Sequence, residues 1–444
     1  MKFNGYELPP TINASILKDE VLIDGTTWLA NCISLANSIH ERSEASWLLY
    51  EEEFYHFSVL FFALLLAEKN IVIAQSAQPE RINEAAEFAD ICIGSVDCRL
   101  IPSFPSEMNT LENNSPLSTK LGTINPERRI TFFTSGSTGS SKAIHKNWYQ
   151  LVNEALFLEE MWPDAGDFVL ATVTHKHIYG LLYKLIWPIM AGKTVLADSI
   201  VYPEQAEQYA RDFKAINFIS SPVFLNKITD QLSETFVNSL SMVFCSGGAL
   251  PEESSDGFFA RQNLLITEVY GSTESGGIAW RQQAKNPLWE IFSCHRVEQA
   301  DDETLILSSP FLEKGSSLKT DDRVALEGNT FKLLGRVDRI VKINEKRVSL
   351  DEMETELRQL DFIELCHCTV IDSPKNELVA AVVLRAQTPN SKEERKALVD
   401  RLKGHLLNHF ERSLLPKKWR FVKELPYNSQ GKLTKQAITE LFYG

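Results

Sequence analysis

Between about residues 25 and 280 the chain alternates two hydrophobic patterns. Segments with apolar residues at helical spacing are interrupted by short Val/Ile/Phe-rich runs: IVIA near 72, FVLATV near 170, TVLA near 195, FISS near 218, MVFCSGG near 245 and LLITEVYGS near 268. Strands alternating with helices predict an α/β fold of mostly parallel sheets covered by helices. The apolar run Ser58 to Ala67 predicts a buried helix feeding a strand over Asn70 to Ala74, and it is too short to span a bilayer. From about 287 to 335 the pattern turns to strands and turns (EIFSC, TLILSS, RVALEG, FKLLG), which predicts a small antiparallel β region. After the charged stretch RVDRIVKINEKR comes an α+β tail. It holds a helix from Leu350, strands at CTVID and LVAAVVL, a long amphipathic helix from Lys392 and a last helix after Lys435. The expected division is a large domain over 1–337 and a small α+β domain over 338–444, joined near Asp338.

Composition narrows the classes. At 444 residues the chain exceeds what one core usually serves. Its 44% hydrophobic and 23% charged residues are those of a soluble globular protein. A net charge of −14 argues against a nucleic-acid partner, which requires a basic surface. Seven cysteines form no CxxC pair, and we read them as reduced thiols of a cytoplasmic protein. Cys366-His367-Cys368 lies in a strand-like run without further ligands, so it reads as structural. The N-terminal MKFNGYELPP lacks the regions of a signal peptide, and no membrane anchor is expected.

The chemistry concentrates at strand ends, where parallel sheets collect ligands. Three runs end in small or polar residues: TFFTSGSTG, MVFCSGGA and TEVYGSTE. Where the first continues as TSGSTGSSK, two glycines, six hydroxyl residues and Lys142 make a donor-rich loop suited to phosphate oxygens. Gly136 and Gly139 are too close for a P-loop, and Ala143 follows the lysine. The segment is a phosphate loop of another kind or a flexible connection.

TSGSTGSSK is followed in order by HIYGL (177–181), CSGGAL (245–250), YGSTE (270–274), KTDD (319–322), GRVDRIVKINEKR (335–347) and NSQGK (428–432). In this order and spacing, from about residue 125 onward, the chain resembles the adenylate-forming superfamily of acyl- and aryl-CoA synthetases, adenylation domains and luciferases. The resemblance implies two half-reactions: a carboxylate and ATP give acyl-AMP and pyrophosphate, then a thiol takes the acyl group and AMP leaves. It implies that Thr134, Ser135, Gly136, Ser137, Thr138, Gly139 and Lys142 hold the β- and γ-phosphates. Thr273 would hold the α-phosphate and Glu274 would bind Mg²⁺. Adenine would lie on Gly247, Gly248 and Ala249, under Tyr270 and beside Gly271. Asp322 would take the ribose hydroxyls, with Arg336 on the ribose or a phosphate. Lys432 would bridge the substrate carboxylate and the ribose, and Asp338 would be the hinge. His177 resembles the pocket-gating histidine, with Ile178, Tyr179, Phe224, Gly276 and Gly277 as pocket walls. Ser141 stands where proline is common, and Asp321 and Glu345 stand where glycines are common.

Amino-acid-activating members carry an aspartate in the segment aligned with ATVTHKHIYG, and this chain has no acid from Ala171 to Gly180. A buried α-ammonium would lack its partner. An aryl or medium- to long-chain acyl acid is the better expectation, with a lean toward aryl. The acceptor would be CoA or the phosphopantetheine arm of an acyl-carrier protein. Nine basic residues (Arg401, Lys403, Arg412, Lys417, Lys418, Arg420, Lys423, Lys432, Lys435) against Glu411 and Glu424 suggest a face for an acidic partner. The rivals are an amino-acid-activating enzyme and a non-catalytic nucleotide-binding module. Lys142, Glu274, Asp322 and Lys432 together argue against the second.

Overall fold

The computed structural model describes residues 13–443 except 96–97, 99, 101–102, 105–122, 136–140, 229–231, 344–345, 372–376, 387, 390 and 428–432. They form two compact units. One is built from the chain up to Arg296 with Leu307–Leu318, the other from Val297–Ile306 with the chain from Lys319 onward.

The first unit is α/β. In one sheet, strands Ser103–Phe104, Ile91–Gly94, Ser46–Tyr50, Asn70–Ile73 and Arg129–Ser135 run parallel, and Ser141–Asn147 closes the edge antiparallel. In the other, six parallel strands follow the order Ile266–Ser272, Leu240–Cys245, Ile216–Ser220, Phe168–Ala171, Thr194–Ser199, Ser15–Lys18. An antiparallel strand flanks each end of this series, Gly276–Arg281 beyond the first and Val21–Asp24 beyond the last. The expected parallel sheets are therefore present, and the loops after Ser220, Cys245 and Ser272 leave from C-terminal strand ends.

Helix Phe54–Leu66 explains how the two sheets share one core. Twelve of its thirteen residues are buried, and it packs on helix Gly25–His40 and on strands of both sheets. A helix enclosed on every side has no polar face, hence the run FYHFSVLFFALLL. Its first turn is satisfied by Glu53, whose carboxylate accepts from Tyr55 N (2.7 Å) and His56 N (3.0 Å).

In the second unit, strands Leu318–Glu327 and Thr330–Arg336 form a hairpin that sets Asp322 opposite Arg336. A three-stranded sheet (Ile363–Ile371, Glu377–Leu384, Lys418–Val422) carries helices Leu350–Arg358, Lys392–Leu406 and Lys435–Tyr443. Alternating residues feed two clusters: Cys366 and Cys368 join Met353, Leu357 and Leu402, whereas Ile371, Val379 and Ala381 join Ile438 and Phe442. Burial pushes the Cys366 thiol up to about 12, as suits an inert structural cysteine. None of the seven cysteines forms a disulfide.

Candidate active site

Two antiparallel strands bring the first candidate cation to the surface. Thr134 pairs with Lys142 and Ser135 with Ser141. Gly136, Ser137, Thr138 and Gly139 lie outside the described residues. Lys142 is exposed, and its Nζ stands 3.9 Å from Glu274 Oε1. Glu274 follows strand Ile266–Ser272 in a turn closed from both sides, Ser272 N to Ser275 Oγ (2.9 Å) and Ser275 N to Ser272 Oγ (3.1 Å). Four residues beyond Lys142, Lys146 is buried and donates to the carbonyls of Glu274 (2.5 Å) and Phe311 (3.1 Å). The exposed ammonium is thus available to an arriving anion, while the buried one pins the turn that carries Thr273 and Glu274.

The adenine candidates lie on exposed backbone. Gly247 has φ +90°, a conformation that side-chain-bearing residues rarely adopt, and nothing lies within 4 Å of where its Cβ would be. Gly248 and Ala249 are likewise exposed. Ser246 Oγ ties this loop to Val269 O (2.8 Å), and Glu268, buried, accepts from Leu250 N (3.4 Å) and from Arg281 Nε (2.9 Å). Burial still raises the Glu268 pKa, with Arg281 opposing. Half-buried Tyr270 has its ring 5.5 Å from that of Trp289, tilted by 51°. Gly271, exposed, sits at the irregular register that follows Tyr270.

At the acyl side the two histidines of THKH differ. His175 is buried against Phe57 (ring centroids 4.4 Å), with Nε2 3.1 Å from Glu51 O. Burial brings its pKa down to about 3, so it is neutral. His177 is half-buried just before the helical turn Ile178–Gly180. Ile178 and Tyr179 pack on the main core cluster, and Tyr179 Oη donates to Ser220 O (3.2 Å). Phe224 packs with a different cluster, against Phe218 (6.1 Å). Gly276 and Gly277 rest on the buried carboxylate of Glu154, whose Oε1 accepts from Gly277 N (2.7 Å). The sequence reading passed over Lys146, Glu154 and Glu268. The available signal was a lone charge among apolar neighbours, as for Glu154 within LVNEALFL.

In the second unit Arg336 is the centre of a carboxylate cluster. Its Nη1 lies 3.3 Å from Asp322, its Nη2 lies 3.4 Å from Asp321, and it grips Asp338 through Nε (2.8 Å) and Nη2 (2.9 Å). The Asp338 hydrogen bond heads the causes that raise the Arg336 pKa. Asp351 accepts from Arg336 N (2.9 Å) and from Arg339 Nε (2.5 Å). Asp322, Arg336 and Asp338 therefore occupy one cluster, whereas Lys432 and Glu345 lie outside the described residues. Of the basic residues of the tail, Lys418 is paired with Glu377 (2.9 Å), and Arg420 donates to Leu441 O (2.9 Å) and Phe442 O (3.1 Å). Lys417, Lys423 and Arg412 are exposed.

The family model for AMP-binding enzymes matches residues 54–305. The chain belongs to the AMP-binding enzyme family. It is accordingly an AMP-forming acid–thiol ligase, which makes an acyl adenylate and passes the acyl group to a carrier protein or CoA. It is 23% identical over 360 residues to the D-alanine–D-alanyl carrier protein ligase of Staphylococcus aureus (strain bovine RF122 / ET3-1), covering 71% of each chain. Its fold is similar to that of ATP-bound MatB from Rhodopseudomonas palustris (TM-score 0.80, 14% identity, 99% of this chain and 97% of that one). It is also similar to that of AMP-bound O-succinylbenzoate coenzyme A synthetase from Bacillus subtilis (TM-score 0.78, 14% identity, 97% and 95%). Among the described residues of this AMP-binding enzyme, no helix is long and apolar enough to cross a membrane.

Proposed function

We propose that this enzyme activates an aryl carboxylic acid with ATP and Mg²⁺ in the cytoplasm and loads it onto the phosphopantetheine thiol of a carrier protein, with CoA as the alternative acceptor. The observation that carries this reading is the pairing of exposed Lys142 with Glu274 beside the strand ends, and it is joined by a segment, Ala171 to Gly180, that holds no acid. In the first step a carboxylate oxygen bonds to the α-phosphorus and the bond to the β-phosphate oxygen breaks, releasing pyrophosphate. Lys142 leaves Glu274 for the phosphates and offsets their charge. Glu274, one-third exposed, offers the hard oxygen donors that Mg²⁺ prefers, and the bound ion would neutralise phosphate charge. In the second step the thiol sulfur bonds to the acyl carbon and the bond to AMP breaks.

In this reading the small domain, 338–444, turns about Asp338 between the steps and carries Lys432 away. Substrate and acceptor of the named S. aureus relative bear on the proposal unequally. Its carrier protein supports a carrier acceptor here, served by exposed Lys417, Lys423 and Arg412. Its D-alanine does not transfer, because the partner for an α-ammonium is missing from 171–180. Acid-dependent pyrophosphate exchange tests the reading: aryl acids should support exchange and amino acids should not. Lys432→Ala should lower exchange by about 10²–10³-fold and leave thiolysis of supplied acyl-AMP largely intact. Equal loss in both steps would remove its alternating role. Glu274→Gln should raise the Mg²⁺ concentration needed for half-maximal exchange, and an unaltered requirement would take Glu274 out of the metal site.

A further inference from the structure

The second unit gathers three side chains of the kinds that hold transition metals, apart from the candidate ligase residues. His405 and His409, in HLLNH, stand four residues apart where helix Lys392–Leu406 ends. That spacing is about one helical turn, and the turn that follows keeps the helical sense, with Phe410 N donating to Leu406 O (2.8 Å). Helix Leu350–Arg358 packs against this helix, and Met353, Leu357, Leu402 and Leu406 share one core cluster. The packing turns Glu356 toward both rings. His409 Nε2 stands 3.1 Å from Glu356 Oε2 and His405 Nε2 stands 3.8 Å from it. The ring centroids are 5.8 Å apart, tilted by 46°. One carboxylate oxygen and one nitrogen from each ring lie within 4.8 Å of one another.

Local hydrogen bonding accounts for only part of this. The Nε2–H of His405 donates to the Glu356 carbonyl (2.9 Å), one of the last carbonyls of its helix, which is an ordinary end cap. Glu356 Oε2 is left over. That oxygen is buried and accepts no hydrogen bond among the described residues, because His409 Nε2, though close, is out of line with it. A sealed carboxylate oxygen is costly unless something binds it. The spacing suits a cation. A tetrahedral ion with ligands at about 2.0–2.1 Å holds its donors roughly 3.3–3.4 Å apart. The distances of 3.1 and 3.8 Å fall on either side of that edge. The Glu356 side chain is 14% exposed and that of His409 42%, so an ion would enter past His409 and keep water in its fourth position. The thiols of Cys366-His367-Cys368, by contrast, are sealed in the core.

We propose that Glu356, His405 and His409 form a binding site for a transition-metal cation, zinc foremost, which clamps the two helices together. Two imidazoles and one carboxylate suit Zn²⁺ and serve Mg²⁺ poorly, since Mg²⁺ prefers an octahedron of oxygens. The site therefore differs in chemistry from the Mg²⁺ site of adenylation, and its three residues take no part in the two half-reactions. His409 binds through Nε2, the nitrogen beside Oε2. His405 binds through Nδ1 while Nε2–H stays on the Glu356 carbonyl, an arrangement that orients a metal-bound ring, or through Nε2 once the proton has moved to Nδ1.

The test is metal binding by the full chain without a histidine tag, stripped with a chelator and titrated with Zn²⁺ against a chromophoric zinc indicator in excess Mg²⁺. The wild type should take one equivalent of zinc from the indicator, and Mg²⁺ should not displace it. His409→Ala, at an exposed position that folding tolerates, and the isosteric Glu356→Gln should each weaken that equivalent by at least the roughly 10–100-fold that losing even an outer partner of a metal costs. His405→Ala should do the same, and if loss of the helix cap unfolds it, the other two variants decide. Zinc at ten times its half-saturating concentration should also raise the unfolding temperature of the wild type by about 2–4 °C and leave that of His409→Ala in place. Zinc held equally by the wild type and by His409→Ala or Glu356→Gln overturns the inference, because the ion would then sit elsewhere. Failure of the wild type to take zinc from the indicator, or an equal rise in unfolding temperature in wild type and His409→Ala, overturns it as well.

Discussion

Two charged groups of residues, one in each unit, solve the same electrostatic problem in opposite ways. In the first unit Lys146 and Glu154 are buried, and their hydrogen bonds go to backbone: two carbonyls for the ammonium and one N–H for the carboxylate. Burial lowers the Lys146 pKa and raises that of Glu154, each partly offset by the other's charge. In the second unit Arg336 is 42% exposed and surrounded by Asp321, Asp322 and Asp338, side chains that solvent also reaches. Charges tied to backbone in a dry core have one arrangement, and breaking it strands a desolvated ion. Half-exposed ion pairs exchange partners at little cost, since water replaces what is lost. The first arrangement suits a rigid interior, and the second suits a surface open to water.

The comparison is broken most directly at Lys146. Lys146→Met removes the donor from two carbonyls and the counter-charge from Glu154, and should destabilise the chain by about 3–5 kcal/mol in urea unfolding. Adding Glu154→Gln should restore part of that loss, because the pair shares one buried network. A loss below about 1 kcal/mol would mean that the buried pair behaves like a surface pair.

His175 sharpens the same contrast through pH. Its folded pKa of about 3 lies below the unfolded value of 6.5, so in that window the unfolded chain binds the extra proton. Stability must then rise with pH, or equivalently fall on acidification from about 6.5 toward 3. Two units of that window, from pH 6.5 to 4.5, correspond to about 3 kcal/mol. His175→Asn should remove this part of the acid sensitivity, read as the difference between unfolding free energies at pH 7 and 4.5. An identical pH slope in wild type and variant would sink the assignment.

The smallest effect is expected at Arg336. Arg336→Gln should cost under about 1 kcal/mol in unfolding and become undetectable in high salt. A loss of several kcal/mol would show that its three aspartates are held as tightly as the buried pair.

Much of this architecture is legible in the chain itself. Alternating periods predicted the parallel sheets, and the apolar run Ser58 to Ala67 predicted a buried helix, which the structure begins one turn earlier at Phe54, because burial dictates side-chain polarity position by position. Lys142 and Glu274 could be singled out from the order of the motifs, and the structure brings their side chains within 3.9 Å of each other. Lys146, Glu154 and Glu268 could not be weighed in that way. An isolated acid or lysine in an apolar stretch is an anomaly that acquires meaning only from what faces it.

Facing is decided by tertiary structure. The chain determined its strands, its helices and the kinds of groups it brings to their ends, because propensity and hydrophobic period act over a few residues. Folding alone decided that Glu154 rests under Gly277, 123 residues away, that Lys146 holds the carbonyl of Glu274, and that His175 is sealed in while His177 is half-open. Those outcomes depend on desolvation and on atoms that meet across the core, and neither is encoded in local spacing.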